Sequence, residues 1–383
     1  MAKKDIKQTL QELLMQADIK INGKRPWDIQ VNNQDLYSRV LAGGILAIGE
    51  AYMDGWWDCG ALDQLVDKVF KEKWDTKIKI SKGLLWNTIK NRIINQQRRS
   101  KAYVIGERHY DTGNELFKLM LDKRMNYSCG YWKNAKTLDE AQEAKLELIC
   151  EKLKLKPSMT VLDIGCGWGS FAKFAAEKYH VKVVGITVSK EQIKLARELC
   201  KGFDIEIRLQ DYRDLKEKFD GIVSVGMFEH VGYKNYKQFF KVVGQCLKDN
   251  GLFLLHTIGS NKSVKFTNPW MNKYIFPNGM LPSATQITKA YEGIFKLEDW
   301  HNFGTHYDKT LMVWYKNFNK NWDKIKIYYD EKFRRMWNYY LLTCAGAFRA
   351  HRNQLWQIVF SKIASQIDYE SIRYVSLDFH KLL

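Results

Sequence analysis

The sequence predicts an α/β protein: a doubly wound, mostly parallel sheet preceded by a small, mainly helical domain. Three observations predict it. From about residue 107 onward, short apolar runs alternate with amphipathic segments of helical length. The first of these runs, Val161-Leu162-Asp163-Ile164, stops at Gly165, Gly167 and Gly169 and passes at once into SFAKFAAEKY (170–179), the order of strand, tight turn and helix N-terminus. The later apolar runs also end on polar residues, as strands do when their carboxyl ends face a ligand crevice.

Taken in order, residues 1–75 form the helical domain. KQTLQELLMQA has helical periodicity. IKINGKRPWDIQV alternates around Asn22-Gly23, a hairpin signal. LYSRVLAGGILAIGEAYMDGWWD reads as a helix followed by an aromatic turn. Residues 76–106 contain no Asp or Glu and carry Lys77, Lys79, Lys82, Lys90, Arg92, Arg98, Arg99 and Lys101 among Leu85, Ile89 and Ile93. That pattern is a basic amphipathic linker helix, either solvated or lying on a membrane surface. The catalytic portion is placed at 107–383.

Within it the predicted strands are 161–164, 181–187, 205–211, 219–225 and 251–258, with helices in ELFKLML, EAQEAKLELICEKL, SFAKFAAEKY, KEQIKLARELC and YKNYKQFFKVVGQCLK. An aromatic insertion follows within 259–315; its SNKSVKFTNPWMNKYIFPNGMLPS segment holds three of the five prolines and is expected to act as a lid over a substrate. A sixth strand is expected to begin at KLEDWHNF. RMWNYYLLTCAGAFRAHRNQLWQIVF is expected to be one long helix, and IRYVSLDF a last strand.

Composition narrows the partners. The chain has 383 residues and a net charge of +18, spread along its length rather than gathered in a tail. Such a protein seeks an anionic surface, either nucleic acid or membrane. Aromatic residues make up 14 %, which suits an apolar pocket or a bilayer-facing surface. No uncharged apolar run is long enough to cross a bilayer, so membrane contact would be peripheral. The seven cysteines show neither C-x-x-C nor metal-ligand spacing, so reduced thiols in the cytoplasm and no metal site are expected.

The strand ends collect the candidate site. Gly165 and Gly167 let the chain turn sharply and let a ligand approach the main chain. A dinucleotide fingerprint requires a third Gly where Ser170 stands. The spacing D-x-G-C-G-x-G from Asp163 is instead similar to the first motif of the class I S-adenosylmethionine (SAM)-dependent methyltransferases, a Rossmann-like fold. A generic site of that kind has an acidic residue after the second strand; Thr187-Val188-Ser189 stands there, with Gln192 one step on. Asp211, after the third strand, is placed either for adenosine or as a helix N-cap.

The resemblance then becomes specific. HYDTGNELFKLMLD (109–122), MNYSCGYW (125–132), VLDIGCGWGSFAKFAA (161–176), GITVSKEQ (185–192), VSVGMFEHVG (223–232), FLLHTIG (253–259), FPNGMLPS (276–283) and CAGAFRA (344–350) resemble the cyclopropane-fatty-acyl-phospholipid synthases. The helical N-terminal unit and charged linker match the longer bacterial form of that family. The resemblance implies transfer of a methylene from SAM onto a cis double bond of an unsaturated acyl chain in a membrane phospholipid, closing a cyclopropane ring. The π bond attacks the sulfonium methyl, and a base then takes one proton from the transferred carbon. Such chemistry requires alignment, a dry site, and aromatic faces or anions near the cation.

The same resemblance places a bicarbonate ion as the base, held by Cys129, Glu229, His256, the Ile258 backbone and Tyr307. It maps SAM contacts onto Tyr110, Tyr127, Ser128, Asp163, Gly165, Cys166, Gly167, Thr187, Gln192, Gln210, Asp211 and Tyr212. It also assigns a nucleophilic cysteine at Cys344, although methyl transfer to an alkene needs no covalent enzyme intermediate. An anionic bilayer with unsaturated chains, a homodimer and a peripheral position on the inner face of the cytoplasmic membrane are implied, and no nucleic acid. The competing readings are methyl-branching of lipids, or methylation of a small molecule or RNA. Gly226-Met227-Phe228-Glu229-His230 stands where an amide-methylating enzyme would carry an N-P-P-Y-like motif.

Overall fold

A computed structural model describes residues 3–72, 113–264 and 267–373. The basic segment 76–106 and Tyr110 therefore lie outside the described residues. The described residues fall into two compact units. One draws on Met1–Ile94, Lys265–Pro277 and Tyr307–Asn353; the other on Asn95–Val264, Asn278–His306 and Gln354–Leu383.

The first unit is helical. Leu36–Met53 is kinked at Gly44, which takes a left-handed φ of 57°. Gly346, in the helix Glu331–Arg349, leaves room for a backbone: a Cβ there would lie 2.4 Å from the Asp63 carbonyl oxygen. That close approach lets Arg349 reach Asp63 at 2.6 Å and Asp308 at 2.8 Å. Trp270 fills the notch at Gly49 and packs on Tyr339 with ring centroids 4.6 Å apart. Residues 267–277 and 307–353 thus pack with the N-terminal elements, and the contiguous division at 75 and 106 does not follow the units. The hairpin expected at Asn22-Gly23 does not form. Ile21 and Ile29 make a single parallel bridge, and Gln30–Val31 pairs instead with Trp57–Asp58. The buried Asp28 carboxylate causes this by gathering the Lys20 and Arg25 amides and the Arg25 guanidinium into a closed loop.

The second unit is built on a seven-stranded sheet. Its strands are β1 (Thr160–Ile164), β2 (Lys182–Thr187), β3 (Ile205–Leu209), β4 (Phe219–Val225), β5 (Leu247–Ser260), β6 (Phe295–Asn302) and β7 (Asn353–Lys362). The spatial order is β3-β2-β1-β4-β5-β7-β6. The first five strands are parallel, and β6 runs antiparallel to β7. The order reverses between β1 and β4, so their carboxyl ends open a crevice. Alternate side chains feed two cores. Leu162, Ile222, Phe253 and Phe360 join one cluster; Val161, Val223, Leu254 and Val359 join the other. Phe253 stacks on Phe360 at 5.6 Å and Phe228 on Tyr236 at 4.3 Å. Each fully buried aromatic of this kind contributes on the order of 1.5–3 kcal/mol.

One expectation at the C-terminal end is corrected. The helix expected to run to Phe360 stops at Arg349, and residues 353–362 form β7. His351 turns left-handed at φ 53°, and the Arg352 amide bonds back to the Ala347 carbonyl at 2.9 Å, which closes the helix. The run LWQIVF is buried almost throughout, and short apolar runs of this sort do not distinguish helix from strand by period. The strand expected at IRYVSLDF is absent from 371–373, and its remainder lies outside the described residues. The fifth strand starts at Leu247, four residues earlier than expected, because Phe219 already pairs with Leu247.

Gly165, in the turn after β1, tolerates a side chain poorly. Its φ is +83°, and a Cβ would lie 2.6 Å from the Met227 side chain. Gly165→Ala is expected to lose about 1–3 kcal/mol in urea unfolding. Gly202→Ala, at φ +91° but with open space around it, should lose less.

Candidate active site

The turn after β1 is pinned to the neighbouring strand. The Gly165 and Cys166 amides both donate to the Ile186 carbonyl, at 2.9 and 3.0 Å. Gly165, Gly167 and Gly169 all take positive φ, a conformation that side chains resist. The helix Ser170–Tyr179 starts immediately afterwards. A cavity of about 190 Å³ opens above this turn. Tyr127, Ser128, Asp163, Gly165, Cys166, Gly167, Thr187, Gln192, Gln210, Asp211 and Tyr212 all line it. Every described residue expected to touch SAM is therefore in one pocket.

The polar wall is held by its own hydrogen bonds. Thr187 Oγ1 donates to Gln192 Oε1 at 2.9 Å, and the Ser189 side chain caps the helix Lys190–Leu199. Asp211 accepts from the Arg213 amide at 3.0 Å, so it does serve as a cap as well as lining the pocket. Asp163 is buried, and one of its carboxylate oxygens, Oδ2, has no partner. Burial pushes its carboxyl up to about 7, opposed by the Lys145 ammonium.

Cys129, Glu229, His256 and Ile258 belong to the same unit and do not themselves line the pocket, although the chain neighbours Ser128 and His230, and Val225 paired with His256, do. The Phe228–His230 turn follows β4, and its Glu229 Oε1 accepts from the Ile258 amide of β5 at 2.7 Å. The Ile258 amide, expected to face an anion, is thus committed to Glu229. Glu229 is buried, its Oε2 has no partner, and burial raises its carboxyl to about 7. The Met280 amide donates to the Glu229 carbonyl at 2.7 Å, tying the insertion to this turn. His256 stands opposite Val225 and is fully buried. Its Nδ1 lies 3.3 Å from the Gln357 amide nitrogen, an assignment that leaves the ring proton on Nε2. That Nε2 has no partner, and burial holds the imidazole neutral, well below its ordinary pKa. The Cys129 thiol is buried and donates to the Gly130 carbonyl at 3.2 Å.

Tyr307 and Cys344 belong to the other unit. Tyr307 is buried against Phe348 at 4.7 Å and Trp314 at 6.0 Å. Cys344 sits half-buried in the helix Glu331–Arg349, and its thiol is pushed up to about 12 by burial. Both features suit packing rather than nucleophilic attack.

Sequence reasoning passed over Lys145. This lysine is fully buried, lines the pocket, and donates to Asn126 Oδ1 at 2.9 Å and Ser128 Oγ at 3.0 Å. The signal was present: Leu138, Ala141, Gln142, Lys145, Ile149 and Lys152 repeat at three- and four-residue spacing, so polar residues occupy the core stripe of the helix Leu138–Lys152. Among the described residues no His, Cys, Asp or Glu cluster suits a metal ion, and no helix is long and apolar enough to cross a membrane.

Comparison with known proteins places this geometry. The family described as mycolic acid cyclopropane synthetase matches residues 96–358. The chain is 54% identical over 351 residues to the cyclopropane-fatty-acyl-phospholipid synthase of Escherichia coli (strain K12), covering 92% of each. Among solved structures, the cyclopropane synthase MmaA2 from Mycobacterium tuberculosis superposes with a TM-score of 0.64 at 31% identity, over 68% of this chain and 98% of that one. The mycolic acid cyclopropane synthase CmaA1 complexed with SAH and CTAB gives 0.63 at 34%, over the same shares. With the SAM-type glycine turn and its pocket, these likenesses show that the chain belongs to the mycolic acid cyclopropane synthetase family and is a SAM-dependent methyltransferase.

Proposed function

We propose that this enzyme adds a methylene from SAM across a cis double bond of an acyl chain in an anionic membrane phospholipid, with bicarbonate as the proton acceptor. One observation carries the reading: the pocket lined by the expected SAM residues adjoins a buried carboxylate and a buried neutral imidazole, each with an unpartnered polar atom.

The residues fit both small molecules. Asp163 and Asp211 give a cationic co-substrate a negative wall, and the glycine turn presents backbone rather than side chain. The bound sulfonium supplies an electrophilic methyl. Bicarbonate both donates and accepts hydrogen bonds. The Glu229 Oε2 is an acceptor and the His256 Nε2–H a donor, so the pair matches an ion of that kind. Burial of both groups excludes water, which would otherwise capture a carbocation. Glu229 orients the base and receives its proton, and that role requires the carboxylate form.

The basic segment 76–106 is read as the contact with anionic headgroups, and the chain as a peripheral protein of the cytoplasmic membrane that acts as a homodimer. Tyr307 is read as closing the bicarbonate shell and Tyr110 as a SAM contact.

Mass spectrometry of lipids from cells expressing the protein tests the reading. Unsaturated phospholipids should gain one CH₂ and lose the olefin; a methyl-branched product would instead favour the branching reaction. Glu229→Gln should leave SAM binding near wild type while turnover falls by roughly 10²-fold or more. Because the Glu229 carboxyl titrates near 7, wild-type turnover should fall as the pH drops through about 7, and removing bicarbonate should slow the enzyme at every pH. Cys344→Ala should retain turnover within a few-fold, as expected of a packing thiol in vesicle assays.

A further inference from the structure

The pocket holds a fully buried charge that the proposed chemistry does not use. Lys145 reaches it from the middle of the helix Leu138–Lys152, with its ammonium wholly out of water. A buried ammonium is retained only where it is paired and hydrogen-bonded. Its two hydrogen bonds go to Asn126 and Ser128, which form one wall of the pocket. That wall is doubly held, because the Gln142 amide of the same helix donates to the Ser128 carbonyl at 2.8 Å. Asp163 also lines the pocket, nearly wholly buried and with its Oδ2 unpartnered. Among the described residues the Lys145 ammonium acts favourably on that carboxylate.

We infer that Lys145 is a positioning residue for SAM: it fixes the Asn126–Ser128 wall and keeps Asp163 anionic until a cationic ligand takes its place as counter-charge. The inference rests on the reading of this pocket as the seat of SAM. Without a neighbouring cation, a carboxylate this deeply buried would hold its proton at neutral pH and offer a cation nothing. With Lys145 present its carboxyl lies near 7, within reach of ionisation. Lys145 does not touch the reacting atoms in this account; it acts through Ser128, Asn126 and Asp163.

The groups around the pair are defined. Lys145 feels Asp122, Cys129 and Asp163, and burial lowers it to about 8. Asp122 is bonded to the Asn126 amide and side chain, so it belongs to the same wall. Asp163 also faces the Cys166 and Cys200 thiols, both held neutral by burial. His256 feels Lys145 but is held neutral. Of the other titratable residues lining the pocket, Asp211 pairs with Arg213 at 3.4 Å, and His230 is lowered to about 4. Of the residues lining the pocket, those whose charge changes between about pH 6 and 9 are therefore Asp163 and Lys145; Glu229, which does not line it, also titrates near 7, so the titrations are repeated in a Glu229→Gln background.

Calorimetric titration of the full-length chain with SAM over that pH range tests the inference. Wild type, Lys145→Met and Lys145→Arg are compared, each checked for folding by circular dichroism. At pH 7.5, Lys145→Met should bind roughly tenfold or more weakly. The Michaelis constant for SAM should rise more than turnover at saturating SAM falls. The wild-type to variant affinity ratio should peak near neutrality and shrink towards pH 9, as Asp163 ionises unaided and wild-type Lys145 loses its proton. Lys145→Arg should recover part of the affinity. In an Asp163→Asn background the same Lys145→Met change should cost less than in wild type, because only the loss of the Asn126 and Ser128 contacts remains. An unchanged affinity, or a deficit constant across pH and equal in the Asp163→Asn background, overturns the inference. Should Lys145→Met fail to fold, wild-type affinity alone decides: it should climb through about pH 7, and a flat profile overturns the role. A wild type that takes up no SAM removes the reading of the pocket as well; normal wild-type uptake with an indifferent variant removes only the role of Lys145.

Discussion

Everything in the catalytic unit depends on one backbone constraint, the left-handed turn that joins β1 to the helix Ser170–Tyr179. Three residues in this turn hold positive φ, and two consecutive amides share the Ile186 carbonyl. The turn therefore cannot move independently of β2. Since β2 also ends in Thr187 and Ser189, the main-chain floor of the pocket and its hydroxyl wall form one rigid body. A ligand there meets surfaces already in place, which reduces the ordering cost of binding.

The second theme is burial of ionisable groups. Asp163, Glu229, His256 and Lys145 are all removed from water, and each is shifted towards its neutral form. A fold gains no stability from that arrangement: a buried charge that is imperfectly paired costs free energy relative to an apolar substitute. Such clusters recur where chemistry needs groups poised near their working protonation state. The surrounding Phe and Tyr cluster, continuous from Phe228 through Phe253 to Phe360, offsets the cost.

How far the sequence made this visible depended on the element. Strands β1 to β4 were legible because glycine or polar residues bracket each apolar run, and the pocket residues were legible because they follow strand ends. β7 was not, since LWQIVF is apolar on both faces of the sheet and continues a helical stretch without a proline. The Asn22-Gly23 loop misled for a different reason: its turn chemistry suits a hairpin, yet the Asp28 carboxylate closes the loop through side-chain bonds that no local rule anticipates. The discontinuous make-up of the helical unit was hidden because it depends on the close approach of Gly346 to Asp63, far apart in the chain. Lys145 was legible only as a lysine within the core stripe of its helix, a spacing that does not by itself tie it to a pocket.

The bond from the Met280 amide to the Glu229 carbonyl joins main chain to main chain. Its geometry is indifferent to what side chain position 280 carries, proline alone excepted. Side chains in residues 278–283 can therefore vary while the main chain of the Glu229 turn stays anchored. The latch belongs to the backbone, so it survives substitutions that would abolish a side-chain contact.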